Sequence, residues 1–145
     1  MWIFRSPTAR QLAIALAILR VTLGAIFIMH GGQKLFVYGF AGVSGAFAQM
    51  GIPLPSLLGP FTAFVEFFGG IALVLGLLTR LAAVGIGGTM IVAILTVHIN
   101  GGFFGPAGVE FPLSLLGGAI MLAISGAGEL SLDALSAASF ATTRQ

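Results

Sequence analysis

The chain has 145 residues, of which 58% are hydrophobic; six are Lys or Arg, four are Asp or Glu, and none is Cys. A charged fraction of 7%, against about 25% in ordinary soluble domains, excludes a water-soluble globular enzyme and a disordered chain. Six cations are also too few for a phosphate-tracking nucleic-acid surface, and the lack of cysteine removes disulfides, CxxC redox pairs, thiolate zinc sites and iron–sulfur ligation.

Hydropathy predicts four transmembrane helices, at about 12–30, 57–78, 81–99 and 110–125; the first three are near the roughly 20 apolar residues that a bilayer core requires, and the last is short unless it starts near Glu110 and tilts. Arg5 and Arg10 precede the first apolar run, which is long enough to span and has no small-residue cleavage site after it, so it reads as a span and not a leader. Between the first two spans, Phe40, Val43, Phe47 and Met50 recur at helical spacing and predict a short interfacial helix. Pro53, Pro55 and Pro60 then restart the chain into the second span. The short Thr79–Arg80 junction makes spans two and three an antiparallel hairpin. The segment 126–145 carries Glu129, Asp133 and Arg144 and reads as a tail with an interfacial helix capped by Ser131. The expected fold class is an all-α membrane protein. It is a single domain over 1–145, a four-helix transmembrane bundle with a short interfacial helix between spans one and two. Arg5, Arg10, Arg80 and Arg144 fall on one side of the membrane and only Lys34 on the other, which puts both termini in the cytoplasm.

Ionisable side chains inside a span are costly, so the few that occur here are the informative ones. Arg20 lies about 12 Å into span one, and Glu66 about 14 Å into span two from the opposite edge, at 1.5 Å per residue. In a core about 30 Å thick these depths nearly coincide, which predicts a buried Arg20–Glu66 ion pair. Such a pair either only fixes helix register or shares one member with a ligand or a proton path, with Glu66 as the proton acceptor. His30 and His98 arrive near the far boundary on two parallel spans, with Lys34 one turn beyond His30 and Asn100 and Glu110 flanking the same level. These residues are either solvated helix ends or a binding site for the polar head of a substrate, formed by His30, Lys34, His98, Asn100 and Glu110. A pair of histidines at one depth is also the minimum for bis-imidazole haem, but nothing else in the sequence supports haem or any other metal. Gly24 and Gly31 share a face with Arg20, and Gly69-Gly70 and Gly85 to Gly88 sit in spans two and three, which predicts close helix approach.

The run Arg20-x3-Gly24-x5-His30-Gly31-x2-Lys34-Leu-Phe36 resembles the opening span of the DoxX family of small four-helix bacterial membrane proteins. Glu66-x2-Gly69-Gly70, Gly76-Leu-Leu-Thr79-Arg80, His98 with Gly101-Gly102-Phe103-Phe104, and Gly126-Ala-Gly128-x2-Ser131-Leu-Asp133 follow in that family's order. The resemblance covers the chain from about Arg20 to Asp133. It implies a component of a redox system in the bacterial cytoplasmic (inner) membrane, in contact with the quinone pool, since the family is named for a subunit of a thiosulfate:quinone oxidoreductase. Lacking cysteine, this chain departs from any member that would do thiol chemistry itself. The expected partners are the lipid bilayer and a protein subunit or further copies of the chain, with quinone or a small oxidised or sulfur substrate, bound near the extracytoplasmic end of the bundle, as the implied small molecule. The alternative expectation is a non-catalytic assembly subunit that docks other proteins in a membrane complex.

Overall fold

The computed structural model describes residues 5–142, so Arg144, used above for orientation, lies outside the described residues. The elements are α1 (Ala9–Gly32), α2 (Gly39–Gln49), α3 (Pro55–Leu75), α4 (Thr79–Ala93), α5 (Glu110–Ser125) and α6 (Leu132–Thr142). No strand occurs among the described residues. α1, α3 and the helical stretch from Thr79 to Gly101 are long and apolar enough to cross a membrane, while α5, also apolar, has 16 residues. The protein is an all-α membrane protein, with a bilayer around its spans.

Local sequence sets where the helices begin and end. Thr8 and Gln11 form a reciprocal capping box at the start of α1, which satisfies two otherwise orphaned amides. Pro55 occupies the first turn of α3, where its missing N–H costs nothing. Gly76 ends α3 at φ 65°, a left-handed conformation that only glycine enters without a Cβ penalty. The α3–α4 turn is correspondingly tight and forms what we call the hairpin end of the bundle. At the opposite, loop end, α1 continues into a π-helical turn over Gln33–Tyr38, and α4 continues into a second one over Ile94–His98. The predicted interfacial helix is α2, which is packed across the start of α3: Val43 is buried there, and a Cβ on Gly59 would meet Val43 and Ser44.

The core is a single cluster between the spans, with Phe27, Leu73, Ile86, Ala119 and Leu122 almost inaccessible. Outward-facing Ile18, Leu81, Val84 and Ile124 are largely exposed, as lipid-facing residues must be. The tightest contact is between α1 and α3 and is made by glycine. A Cβ on Gly24 would lie 2.6 Å from the Gly70 carbonyl oxygen, and one on Gly70 would lie 2.7 Å from the Gly24 oxygen. A Cβ on Gly31 would lie 2.7 Å from Phe67 Cα. Lipid offers helices no hydrophobic drive to associate, so close backbone packing of this kind supplies the attraction. It also fixes the antiparallel register, with Gly24 beside Gly70 and Val74, and Gly31 beside Phe67.

Candidate functional site

That register decides the pairing of the buried charges. α3 buries the stripe Gly59, Ala63, Glu66, Gly70 and Leu73, at steps of three and four residues along one helix face. Glu66 therefore points into the bundle and is 3% exposed. The α1 stripe of Arg20, Gly24, Phe27 and Gly31 reaches Lys34 one step further on, at the level of Glu66. Lys34 Nζ forms an ion pair and hydrogen bond with Glu66 Oε2. The expected Arg20–Glu66 pair is not formed. Equating depths from the two span edges placed these residues at one level, but the glycine contacts set Glu66 beside the end of α1 and Arg20 beside the end of α3. Arg20, 5% exposed, donates from Nη1 to the carbonyls of Leu73 (3.2 Å) and Val74 (2.8 Å), and from Nη2 to Leu130 O. Leu73 and Val74 lie in the last turn of α3, where the final carbonyls of a helix need outside donors; Leu73 O also accepts the Gly76 amide, and the negative end of the α3 dipole favours a cation there.

Lys34 and Glu66 line a cavity of about 160 Å³. Its walls come from α2 and the following loop (Phe47, Met50, Ile52), from α3 (Thr62) and from α4 with its π-helical turn (Thr89, Val92, Ala93, Thr96, Val97). Both π-helical turns thus contribute, one supplying Lys34 and the other Thr96 and Val97. Such turns are rare, and they concentrate at functional sites because the extra residue per turn re-aims side chains and loosens the helix wall. Thr89 Oγ1 donates to Ile86 O (2.8 Å) and Thr96 Oγ1 to Val92 O (2.7 Å), so each hydroxyl has its proton committed and its lone pairs available. The cavity offers one ammonium donor and carboxylate and hydroxyl acceptors inside an apolar shell. Met50, Val92, Thr96 and Val97 are also exposed on the outer surface, so the mouth opens sideways between the end of α2 and α4.

The other sequence-predicted residues lie elsewhere. His30 is exposed and lines a separate shallow groove with Met29, Gln33, Val37 and Phe67. His98 is partly buried, and its Nδ1 is 3.1 Å from Ala107 O, which pins the loop between α4 and α5. Asn100 is exposed in a 3₁₀ turn over Ile99–Gly101. Glu110 starts α5 and accepts the Gly105 amide at 3.0 Å. Of the residues assigned to a substrate site, only Lys34 reaches the cavity, and its partner there is Glu66. No group of three or more His, Asp or Glu side chains comes together among the described residues.

Asp133, in the segment predicted as a tail, ties α6 to the hairpin end. Its carboxylate accepts the amides of Leu78 (2.7 Å) and Thr79 (3.0 Å), and its own amide donates to Gly76 O (2.8 Å). It thereby caps α4 from 55 residues away and holds α6 against the hairpin end. Burial works against its charge, but the Thr79 and Leu78 amides and the nearby Arg20 charge outweigh this and hold the carboxyl below the usual range. Ser131 Oγ, the predicted cap, accepts the Ala134 amide at 3.2 Å.

The DoxX sequence profile matches residues 15–99. A Bacillus subtilis (strain 168) protein named "Putative oxidoreductase CatD" is 38% identical over 125 residues, covering 86% of this chain and 88% of that protein. "Uncharacterized membrane protein Rv3486" of Mycobacterium tuberculosis is 36% identical over 126 residues, 79% of this chain and 77% of that protein. "Inner membrane protein YphA" of Escherichia coli (strain K12) is 34% identical over 126 residues, 83% and 89% respectively. No solved structure matches the chain significantly.

Proposed function

The chain belongs to the DoxX family, and from that premise we propose that it is the membrane subunit of an oxidoreductase system and holds the ring of a quinone in the Lys34–Glu66 cavity. The observation that carries this reading is the partly buried ion pair set beside a cavity of about 160 Å³, several of whose lining residues are exposed on the outer surface of the bundle. An engineered apolar cavity of similar size, about 150 Å³, admits benzene, so a single six-membered ring is the natural occupant. A quinone carbonyl only accepts hydrogen bonds, and the Lys34 ammonium donates. A quinol hydroxyl also donates, and Glu66, Thr89 and Thr96 offer acceptors. The site is therefore complementary to both oxidation states.

Each residue has a distinct part. Glu66 orients the Lys34 ammonium and compensates its charge in a medium where an unpaired ion is costly. Lys34 binds the ring oxygen. The apolar wall from Phe47, Met50, Ile52 and Val92 excludes water and strengthens these polar contacts. The name of the B. subtilis relative supports an oxidoreductase setting. The name of the E. coli relative supports the inner membrane. Arg10 and Arg80 at the hairpin end, against Lys34 at the loop end, support cytoplasmic termini.

A photoreactive quinone analogue, bound to the protein in nanodiscs, tests the reading. Labelling should concentrate on the segments containing Met50 and Val92 to Val97, fall in Glu66→Gln, and be unchanged in His30→Ala. Labelling spread over the lipid-facing helices, with one pattern in all three proteins, would refute it.

A further inference from the structure

The chain contains five arginines and one lysine. The buried cation Arg20 has a static role, bonded to backbone carbonyls at a helix end, while Lys34 is only partly buried. Arginine is also the better residue for a static buried ion pair, because its fork is rigid and more weakly hydrated. Lysine differs in one chemical respect: on losing a proton its amine becomes a nucleophile toward carbonyl carbon. The only lysine in the sequence stands in the cavity, next to a carboxylate that can take that proton, and the chain has no cysteine to compete as a nucleophile. The lining residues Met50, Val92, Thr96 and Val97 are exposed on the outer surface of the bundle, a route by which lipid-dissolved molecules can reach Lys34.

We propose that Lys34 captures lipophilic aldehydes and ketones that enter from the bilayer, binding them as a protonated imine at Nζ with Glu66 moving the protons. Glu66 takes one proton from the ammonium. The freed amine lone pair forms a bond to the carbonyl carbon, and the C=O π pair moves to oxygen, which takes up the second nitrogen proton. Protonated Glu66 then returns its proton to the resulting hydroxyl, the C–O bond breaks, and water leaves. The product is a positively charged imine beside a carboxylate again, so the ion pair is regenerated and no electron is transferred. This inference rests on the same cavity as the ring-binding reading but does not need the occupant to be a quinone.

The test is reductive trapping. Protein in phosphatidylcholine nanodiscs, which contain no lipid amine, is incubated with benzaldehyde and cyanoborohydride, and the adduct is located by peptide mass mapping. We expect a benzyl group on Lys34, formed about a hundredfold more slowly in Glu66→Gln, the usual scale for a lost acid–base group. In Lys34→Arg the side-chain adduct should be lost. Adduct on the α-amino group alone, or equal rates in wild type and Glu66→Gln, would overturn the proposal. If Lys34→Arg does not fold, the wild-type peptide map and the Glu66→Gln rate still decide. Trapping with no quinone-analogue labelling would sink the quinone reading and leave this one standing; labelling with no trapping would do the reverse.

Discussion

Gly31→Ala is the substitution that joins the helix register to the site. Its Cβ would lie 2.7 Å from Phe67 Cα and closer still to the Phe67 amide nitrogen, where optimal carbon contacts are about 3.5–4.0 Å. The obstructing atoms are backbone, so no rotamer change relieves the clash, and α1 must part from α3 by roughly 1 Å. Overpacking of this kind costs about 1–3 kcal/mol, and the rigid partner puts it near the upper end. Replacing glycine within a helix returns about 1 kcal/mol, leaving a net loss of about 2 kcal/mol. Gly88, on the outer face of α4, has open space where its Cβ would be, so Gly88→Ala should gain up to about 1 kcal/mol. Reversible unfolding by steric trapping in bicelles measures both. Phe67 adjoins Glu66, so Gly31→Ala should also weaken quinone-analogue labelling. A Gly31→Ala protein as stable as wild type, or a Gly88→Ala protein equally destabilised, would refute the claim that glycine contacts set the register.

Glu66→Leu leaves the Lys34 ammonium unpaired and should lose about 3–5 kcal/mol, whereas the double variant Lys34→Met with Glu66→Leu should recover most of that and still bind no analogue; denaturant titration and labelling separate the two effects. Asp133→Ala should cost about 1–2 kcal/mol by uncapping α4, seen as faster amide exchange at 76–82 and 132–138. The folded Asp133 carboxyl lies below the usual range, so its stabilisation is complete above about pH 4 and is lost as pH falls further; exchange at α6 should be flat from pH 8 to 5 after intrinsic-rate correction, rise in stronger acid, and show no such step in Asp133→Asn. His98→Ala removes the contact to Ala107 O and should speed exchange in 99–109 while leaving analogue labelling intact.

The spans, the hairpin and the α2 segment follow from hydropathy, proline placement and spacing, because each is a local property of the chain. The inward positions of Glu66 and Lys34 were equally readable, since both lie on three-and-four-residue stripes shared with glycines. Which buried cation Glu66 meets was not readable from depth. It depends on how far two helices slide along each other, and the close contacts at Gly24, Gly31 and Gly70 set that slide. Had these glycines served as register marks and not only as signs of tight packing, they would have pointed to Lys34. The role of Asp133 was hidden for another reason: its partners are backbone amides 55 and 54 residues earlier, and backbone carries no signal of its own in a sequence. The π-helical turns were not legible either, since the apolar residues around them fit an ordinary helix as well.

The 16-residue length of α5 has a consequence for the surrounding lipid. At 1.5 Å per residue it is about 24 Å long, some 6 Å less than a typical hydrocarbon core. The neighbouring spans meet no such shortfall, so the protein presents a thick side and a thin side to the bilayer. Lipids along α5 must compress their acyl chains or let headgroups sink, at a cost of fractions of a kcal/mol per ångström. A lipid with shorter acyl chains matches that face with less distortion. Membrane thickness thus acts on this protein as a force with a direction, strongest along the face that α5 forms.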